Sequence, residues 1–468
     1  MNDETKKNQS VASRRRFLKS TAASGFLAAA PAIVPASVFG AKAPSNRIHM
    51  GVIGLGTRGI PDLRNFLRND DVQVMAVCDV NRASDGYRDD VMVMGLEPGL
   101  EIANSYYATQ QKSGRFQGVD GYTDFREIIG RDDIDAVAVV TPDHWHAVMT
   151  IMAAESGKDI FCQKPLTLTI QDGKDMIDAV RKHDRILQTG SQWRSNARVR
   201  FVCELVRNGY IGELKSIYAT IPENNKPGPG SGWQSMPVPA GFDYPMWLGP
   251  APDVPYHTDR CLYKFRFCLD YSGGQITNFG AHALDIVQMG NGTDLTGPVE
   301  VEGLEVVWPD EGSLFTTAIT SKFRAQYANG VELICESAPP WFGTRFEGSE
   351  GWVEFTGNGL ASSPESLLST SLGPNDERLP ATNPSQTVSN PGRPYADHLR
   401  NFLDCVKSRE EPVEPVEVGH RTASLCHLGN IALQRMKRLA WDPEVERFLN
   451  DDQANEMLGR SRREDWKV

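Results

Sequence analysis

None of the eight cysteines forms a C-x-x-C pair; they lie scattered at Cys78, Cys162, Cys203, Cys261, Cys268, Cys335, Cys405 and Cys426. That spacing removes zinc-ribbon and thioredoxin-like readings. Cys78 and Cys162 fall in apolar runs, where an inert buried thiol is expected. Cys261 and Cys268 are close enough in sequence to pair in an oxidising compartment. Long apolar runs are also missing. The longest candidate, Thr21 to Val38, is broken by Pro31 and Pro35 and is too weak for a membrane span. Positive charge is scarce: 49 Lys and Arg stand against 60 Asp and Glu, a net charge of −11 over 468 residues. Residues 1–43 hold seven of those bases and two of the acids, so the remainder is more acidic still. Such a body is a poor partner for nucleic acid or an anionic membrane. No cysteine or third histidine is grouped with Asp143, His144 and His146, so no metal centre is expected there, although the two histidines could chelate from an extended segment. No internal repeat is visible.

What is present begins with Ser13-Arg14-Arg15-Arg16-Phe17-Leu18-Lys19, the S-R-R-x-F-L-K pattern of a twin-arginine signal. The expected signal peptide is residues 1–43, with the cut between Ala36 and Ala43. The expected location is periplasmic or otherwise exported, and the expected partner is the twin-arginine translocation machinery. That route carries folded proteins, which suits a cofactor loaded before export.

The stretch Arg47 to Asp79 organises the rest. An apolar run, Ile48 to Ile53, ends in Gly54-Leu55-Gly56-Thr57-Arg58-Gly59, the G-x-G-x-x-G spacing, and a second run, Val72 to Val77, stops at Asp79. Gly54 allows a tight turn, Gly56 lets backbone approach a pyrophosphate, and Gly59 lets helix pack on strand. The helix N-terminus offers unpaired N–H groups to phosphate. Asp79 is placed to accept ribose hydroxyls. Strand, glycine turn, helix, second strand and acid in register predict a dinucleotide site that includes Thr57 and Arg58. Asp79 would repel a 2′-phosphate, which favours NAD; Arg82 nearby leaves NADP open.

Further strands are expected at Ile134–Val140, Asp159–Cys162 and Ile186–Thr189, alternating with helices from Ala147 to Ser156 and Ile170 to His183. An exposed insertion is expected around Tyr106 to Gly118. This alternation predicts a doubly wound parallel sheet over residues 44–189. Ligands bind beyond the carboxyl ends of such strands. The glycine turn, Asp79, Thr141–His146 and Gln163–Pro165 all fall there. After Gly190 come an amphipathic helix from Ala197 to Asn208, a Pro/Gly-rich loop from Pro222 to Pro255, and a helix carrying Asn278, His282 and Asp285. Strand-like runs at Val299–Val307, Thr316–Phe323, Val331–Glu336 and Gly351–Phe355 predict a mainly antiparallel sheet in residues 190–468. Helices are expected at Tyr395–Lys407 and Gly419–Leu439.

The glycine turn, the Thr141–His146 strand end, Cys162-Gln163-Lys164-Pro165 and Asn278-Phe279-Gly280-Ala281-His282-Ala283-Leu284-Asp285 occur in that order. Together they resemble the glucose–fructose oxidoreductase/inositol dehydrogenase family (Gfo/Idh/MocA), in its twin-arginine-exported branch. The resemblance implies a Rossmann domain followed by an α/β domain with an open sheet, and a homo-oligomer formed through that sheet. It implies NAD(P)-dependent hydride transfer on a sugar, sugar derivative or polyol. The family's E-K-P matches Gln163-Lys164-Pro165, with glutamine replacing glutamate. Lys164 then lies by the nicotinamide and the reacting oxygen, where an ammonium stabilises an alkoxide. The D-x-x-x-H pattern matches Asn278 to His282 on one helix face, with His282 as acid/base and Asn278 unable to take a proton. Thr141, His146 and Gln163 fall to the cofactor. Asp285 is placed either to orient His282 or to face a neighbour in the second domain. Arg194, Arg266 and Asp270 are candidates for sugar hydroxyls, with Trp193 and Tyr271. Two other functions fit the same motifs: redox-neutral, NAD-dependent glycoside cleavage, and non-catalytic binding on a retained Rossmann scaffold.

Overall fold

Six parallel strands make the first sheet: β1 (Ile48–Ile53), β2 (Val72–Cys78), β3 (Asp120–Tyr122), β4 (Ala136–Val139), β5 (Asp159–Cys162) and β6 (Leu187–Thr189). Their order is β3-β2-β1-β4-β5-β6. The central strands are apolar along their length because helices cover both faces. Register decides what meets at the edge. Ile53 pairs with Cys78 and Val139, Val139 with Cys162, and Cys162 with Thr189. The turns leaving those carboxyl ends therefore start from one line across the sheet.

This arrangement comes from a computed structural model that describes residues 46–87, 92–224, 228–339 and 342–468. The twin-arginine pattern and the expected cleavage region lie outside the described residues.

Helix α1 (Gly59–Leu67) follows the glycine turn, and α2 (Leu96–Ala108) covers the β2 side. The exposed segment expected from Tyr106 to Gly118 is present from Thr109 onward, a largely exposed turn and loop over residues 109–118, and only its start is helical. Tyr106 and Tyr107 belong to α2, and Tyr107 is buried, its hydroxyl accepting from the Val74 N–H at 2.8 Å. Helix α3 (Asp143–Glu155) starts four residues earlier than the sequence suggested, so His144 and His146 sit on a helical turn rather than an extended segment. Helix α4 (Ile170–Lys182) begins at a Thr169 cap that accepts from the Asp172 N–H.

The second sheet has nine strands: β7 (Leu214–Ile221), β8 (Glu300–Val307), β9 (Thr320–Gln326), β10 (Glu332–Ser337), β11 (Gly343–Gly348), β12 (Trp352–Thr356), β13 (Gly359–Ser363), β14 (Arg438–Asp442) and β15 (Arg447–Phe448). The order is β13-β12-β11-β7-β10-β9-β8-β14-β15, and among the described residues of this sheet only β7 and β10 pair in parallel. Helices α5 (Ala197–Arg207), α6 (Gly280–Asn291) and the long α8 (Val416–Arg435) bury the inner face of this sheet. The outer face carries ion pairs, Lys322–Glu336 at 3.0 Å and Arg345–Glu347 at 2.7 Å, with Arg345 lying 4.0 Å over the Trp352 ring.

Packing contacts cross the expected boundary near residue 190. Helix α7 (Pro394–Ser408) buries Leu399, Phe402, Leu403 and Cys405 in the core of the first sheet. Phe402 packs 5.8 Å from Phe161 of β5. Arg400 and Lys407 both pair with Asp71. Arg409 reaches Asp159 at 2.6 Å. Near the end of the chain Trp466 lies 4.7 Å from Trp145 of α3, and Arg463 donates to the Gly249 carbonyl.

Candidate active site

The line of strand ends opens into one cleft of about 200 Å³. Its walls include Gly54, Gly56, Thr57 and Arg58, Asp79, the turn from Val140 to Asp143, Gln163-Lys164-Pro165, Trp247, Arg266, Ser272 and Asn278. Sites separated by more than two hundred residues in sequence thus share one solvent space.

The glycine turn is fixed by close approach. Gly54 has φ +91°, and Gly59 packs so tightly that a Cβ there would strike the Gly54 carbonyl. A Cβ on Gly56 would lie 2.6 Å from the Tyr87 ring, a neighbour that no sequence pattern announced. Helix α1 starts without a side-chain cap; Ile60 N–H donates to the Gly56 carbonyl at 3.1 Å and Pro61 has none, so the Gly59 N–H at the helix start is the one left for an anion. Asp79 holds this turn. Its Oδ2 accepts from the Leu55 N–H at 2.7 Å and its Oδ1 from the Asn81 N–H at 2.9 Å. The Tyr87 hydroxyl, which accepts from Asn81 Nδ2 at 3.0 Å, also faces this carboxylate. Burial pushes the Asp79 carboxyl up to about 6, against the pull of those N–H groups. Arg82, the residue that kept NADP open, pairs with Glu97 at 3.0 Å.

Lys164 is half-buried, and its Nζ donates to Asn278 twice, to Oδ1 at 3.0 Å and to the carbonyl oxygen at 3.1 Å. The Lys164–Pro165 peptide is cis. Burial, then the charge of Arg266, lowers the Lys164 ammonium to about 8. Asp143 adds a carboxyl on the same wall. It is buried, its Oδ2 lacks a protein partner, and desolvation raises its pKa. Sequence reasoning noticed Asp143 only beside two histidines; its place in the turn after β4 was the available signal.

The histidines separate. His144 Nε2 lies 2.9 Å from the Trp247 carbonyl, and burial lowers it to about 4. His146 bridges two turns, with Nδ1 at 2.7 Å from the Pro165 carbonyl and Nε2 at 3.0 Å from that of Thr141. It is fully buried and braces the strand-end turns rather than lining the cleft. No group of three or more potential metal ligands occurs among the described residues.

His282 sits on α6, 8% exposed, near enough to the cleft-lining Lys164 and Arg58 to feel their charges, with its Nδ1 lacking a partner. Desolvation, then the charges of Lys164 and Arg58, drives its pKa well below the usual histidine range. Burial therefore favours the neutral imidazole. Asp285 does not orient it. Arg194 takes Asp285 in a fork, Nε to Oδ1 at 2.8 Å and Nη2 to Oδ1 at 2.6 Å, and Thr422 donates to the same carboxylate at 3.1 Å. Arg194 also pairs with Asp294 at 2.6 Å. Arg194 and Asp285 hold each other and lie outside the cleft lining. Asp270 also lies outside it, next to Leu269, whose carbonyl accepts from Arg460. Of the five candidates for sugar hydroxyls (Trp193, Arg194, Arg266, Asp270 and Tyr271), only Arg266 lines the cleft, stacked 4.2 Å over the Tyr263 ring. All eight cysteines are free and buried, Cys261 and Cys268 included.

The wall tests well for a dinucleotide. It has an uncapped helix N-terminus after a glycine turn, an acid at the end of β2, and two buried polar atoms without protein partners, Thr141 Oγ1 and Asp143 Oδ2. Fold and lining define a Rossmann-type dinucleotide-binding protein with a second, sheet-based domain. Profiles of two domains match: "Oxidoreductase family, NAD-binding Rossmann fold" over residues 95–191, and "Oxidoreductase family, C-terminal alpha/beta domain" over residues 229–353 and 383–468. The chain belongs to the Gfo/Idh/MocA oxidoreductase family.

It is similar to an α-N-acetylgalactosaminidase of Shewanella oneidensis, 31% identical over 179 residues, 38% of this chain and 36% of that protein. The chain thus matches only about a third of the length of such curated relatives. Among solved structures, the aldose-aldose oxidoreductase of Caulobacter crescentus complexed with glycerol superposes with a TM-score of 0.57 at 18% identity, over 84% of this chain and 99% of that one. The WlbA dehydrogenase of Bordetella pertussis, in complex with NADH and UDP-GlcNAcA, gives 0.58 at 15%, over 85% and 99%. These two share the fold.

Proposed function

We propose that the protein is an exported, NAD-dependent oxidoreductase that oxidises or reduces a CH–OH carbon of a sugar, sugar derivative or polyol. One observation carries the reading: a glycine turn and a lysine with a near-neutral pKa open into the same cleft. A bound nicotinamide dinucleotide supplies the hydride acceptor or donor. The residues to hold it are Gly54–Gly59, Asp79, Thr141, Gln163 and Asp143, with His146 bracing the turns beneath.

Lys164 handles the proton. In oxidation its amine form takes the substrate hydroxyl proton as hydride leaves the carbon; in reduction the ammonium returns it. Asn278 holds two of the three ammonium donors, which aims the remaining one. His282, as a neutral imidazole, serves to orient a neighbouring hydroxyl.

A second reading is net hydrolysis of a glycoside with no net reduced dinucleotide. It draws support from the α-N-acetylgalactosaminidase relative. A panel of free sugars, polyols and nitrophenyl glycosides separates the two. Growth of reduced-nicotinamide absorbance marks the oxidoreductase, and nitrophenol release without it marks the glycosidase. Dinucleotide binding with turnover of nothing on the panel favours the non-catalytic scaffold.

The proposal extends to location and assembly. The twin-arginine pattern directs export with cofactor already loaded, and the outer face of the nine-stranded sheet is the surface for a homo-oligomer.

A further inference from the structure

Glutamine stands at position 163, where the family pattern has glutamate, and Asp62 lies directly opposite. Asp62 is 0% exposed on the first turn of α1. Its carboxylate accepts from Gln163 Nε2 at 2.7 Å and from Arg58 Nε at 3.0 Å, with Arg58 Nη2 on its other oxygen. Arg58 belongs to the glycine turn and is capped from outside by the Tyr395 ring, 4.2 Å from its guanidinium carbon. Gln163 precedes Lys164 and is pinned from behind, since a Cβ on Gly190 would lie 2.7 Å from its Oε1. Arg58 and Gln163 both line the cleft; Asp62 does not.

The polarity of this triad is not free. A buried carboxylate must be satisfied by donors, and Asp62 draws them from two separate turns. A glutamate at 163 would set a second carboxylate oxygen against Asp62 at hydrogen-bond distance, in a place closed to water. Like charges at that range cannot both ionise cheaply. Acid at 62 and amide at 163 are therefore one choice. The carboxylate also fixes which way the amide faces, Nε2 toward Asp62 and Oε1 away from it.

We infer that Asp62 is a positioning residue coupling the glycine-rich turn to the turn of the reacting lysine, and that its carboxylate is why position 163 carries an amide. Through Arg58 it sets the phosphate-facing turn, and through Gln163 it sets the segment holding Lys164. The inference rests on the cleft taking a dinucleotide. Its partners are all protein atoms, so it can be judged separately.

The test uses full-length wild type, Gln163→Glu, Asp62→Asn and the double variant. NAD affinity is measured by calorimetry, and kcat per folded molecule and melting temperature are measured alongside. Gln163→Glu should weaken NAD binding and turnover about tenfold or more and lower the melting temperature. Asp62→Asn should do the same to a lesser degree. The double variant, with acid and amide exchanged, should return to within about threefold of wild type. Losses that merely add in the double variant overturn the coupling. So does a Gln163→Glu protein with wild-type affinity and melting temperature. Variants that lose folded fraction alone, with unchanged affinity and kcat per folded molecule, reduce Asp62 to a structural cross-link and overturn the positioning role. If wild type binds no NAD, the cofactor reading falls; recovery of melting temperature in the double variant still supports the pair, and additive loss refutes it.

Discussion

Lys164 is held by an amide, not by an acid: Asn278 accepts from its Nζ through both side chain and backbone, at 3.0 and 3.1 Å. A neutral acceptor satisfies the ammonium without adding the opposite charge that would hold its pKa up. Burial and Arg266 then prevail, and the group comes to rest near 8. The asparagine that weakens a carboxylate-assisted relay thus makes the lysine a usable base.

In the oxidative direction the rate should therefore rise with pH through about 8, as Lys164 passes from ammonium to amine. Asn278→Asp should move that limb to higher pH, because a carboxylate favours the charged form. Lys164→Arg should remove the limb and lower turnover about 10²–10⁴-fold. His282→Ala should slow turnover while leaving the limb in place, since the imidazole is already neutral across this range. Rate profiles from pH 6 to 10 on the four proteins check all of this, and a limb lost with His282 would reverse the assignment.

Asp79 makes cofactor affinity pH-dependent from the other side. Its carboxyl is raised to about 6, so it is neutral below that pH and ionised above. Only the ionised form is acceptor-only toward ribose hydroxyls. NAD should bind more tightly as pH rises through about 6. The trend should vanish in Asp79→Asn, and NADP should bind less tightly than NAD throughout. Calorimetric titrations with both dinucleotides at several pH values decide it.

The Arg194–Asp285 fork predicts a stability effect rather than a substrate effect. Asp285→Ala removes one partner of a buried pair and should cost about 3–5 kcal/mol. The Michaelis constant of the folded fraction should stay near wild type. Chemical denaturation beside steady-state kinetics makes the comparison. A raised Michaelis constant with unchanged stability would return Asp285 to the substrate.

For export, replacing Arg14 and Arg15 with lysine should leave precursor in the cytoplasm, because the route reads that pair. Fractionation of cells expressing wild type and double variant gives the readout. Normal accumulation of the variant outside the cytoplasm would show the pattern is unused.

Much of the first sheet could be read from sequence because its signals are local. Apolar runs such as Ile48–Ile53 and Ala136–Val139 end at turns whose glycines, prolines and acids sit within a few residues of them. The convergence of those turns followed from strand order alone. Less of the second sheet was legible. Strand β11 carries two glycines and an Arg-Phe-Glu alternation too short to stand out, and it is placed by pairing with β7. The site went the same way. Lys164 and Asn278 were found by their motifs. The burial of His282, the capture of Asp285 by Arg194 and the Asp62–Gln163 contact all depend on side chains meeting across sequence gaps that no period records.

Helix α7 carries a consequence for modularity. The core around Phe161 and Phe66 is completed by Leu399, Phe402 and Leu403, which arrive only after the whole second sheet has been threaded. A fragment ending near residue 190 would expose that apolar seat and leave Asp71 without Arg400 and Lys407. The nucleotide-binding half is therefore not a cassette that can be cut out, swapped between relatives or matured alone. Whatever selects the second domain also selects the stability of the first, and the two must evolve as one hydrophobic unit.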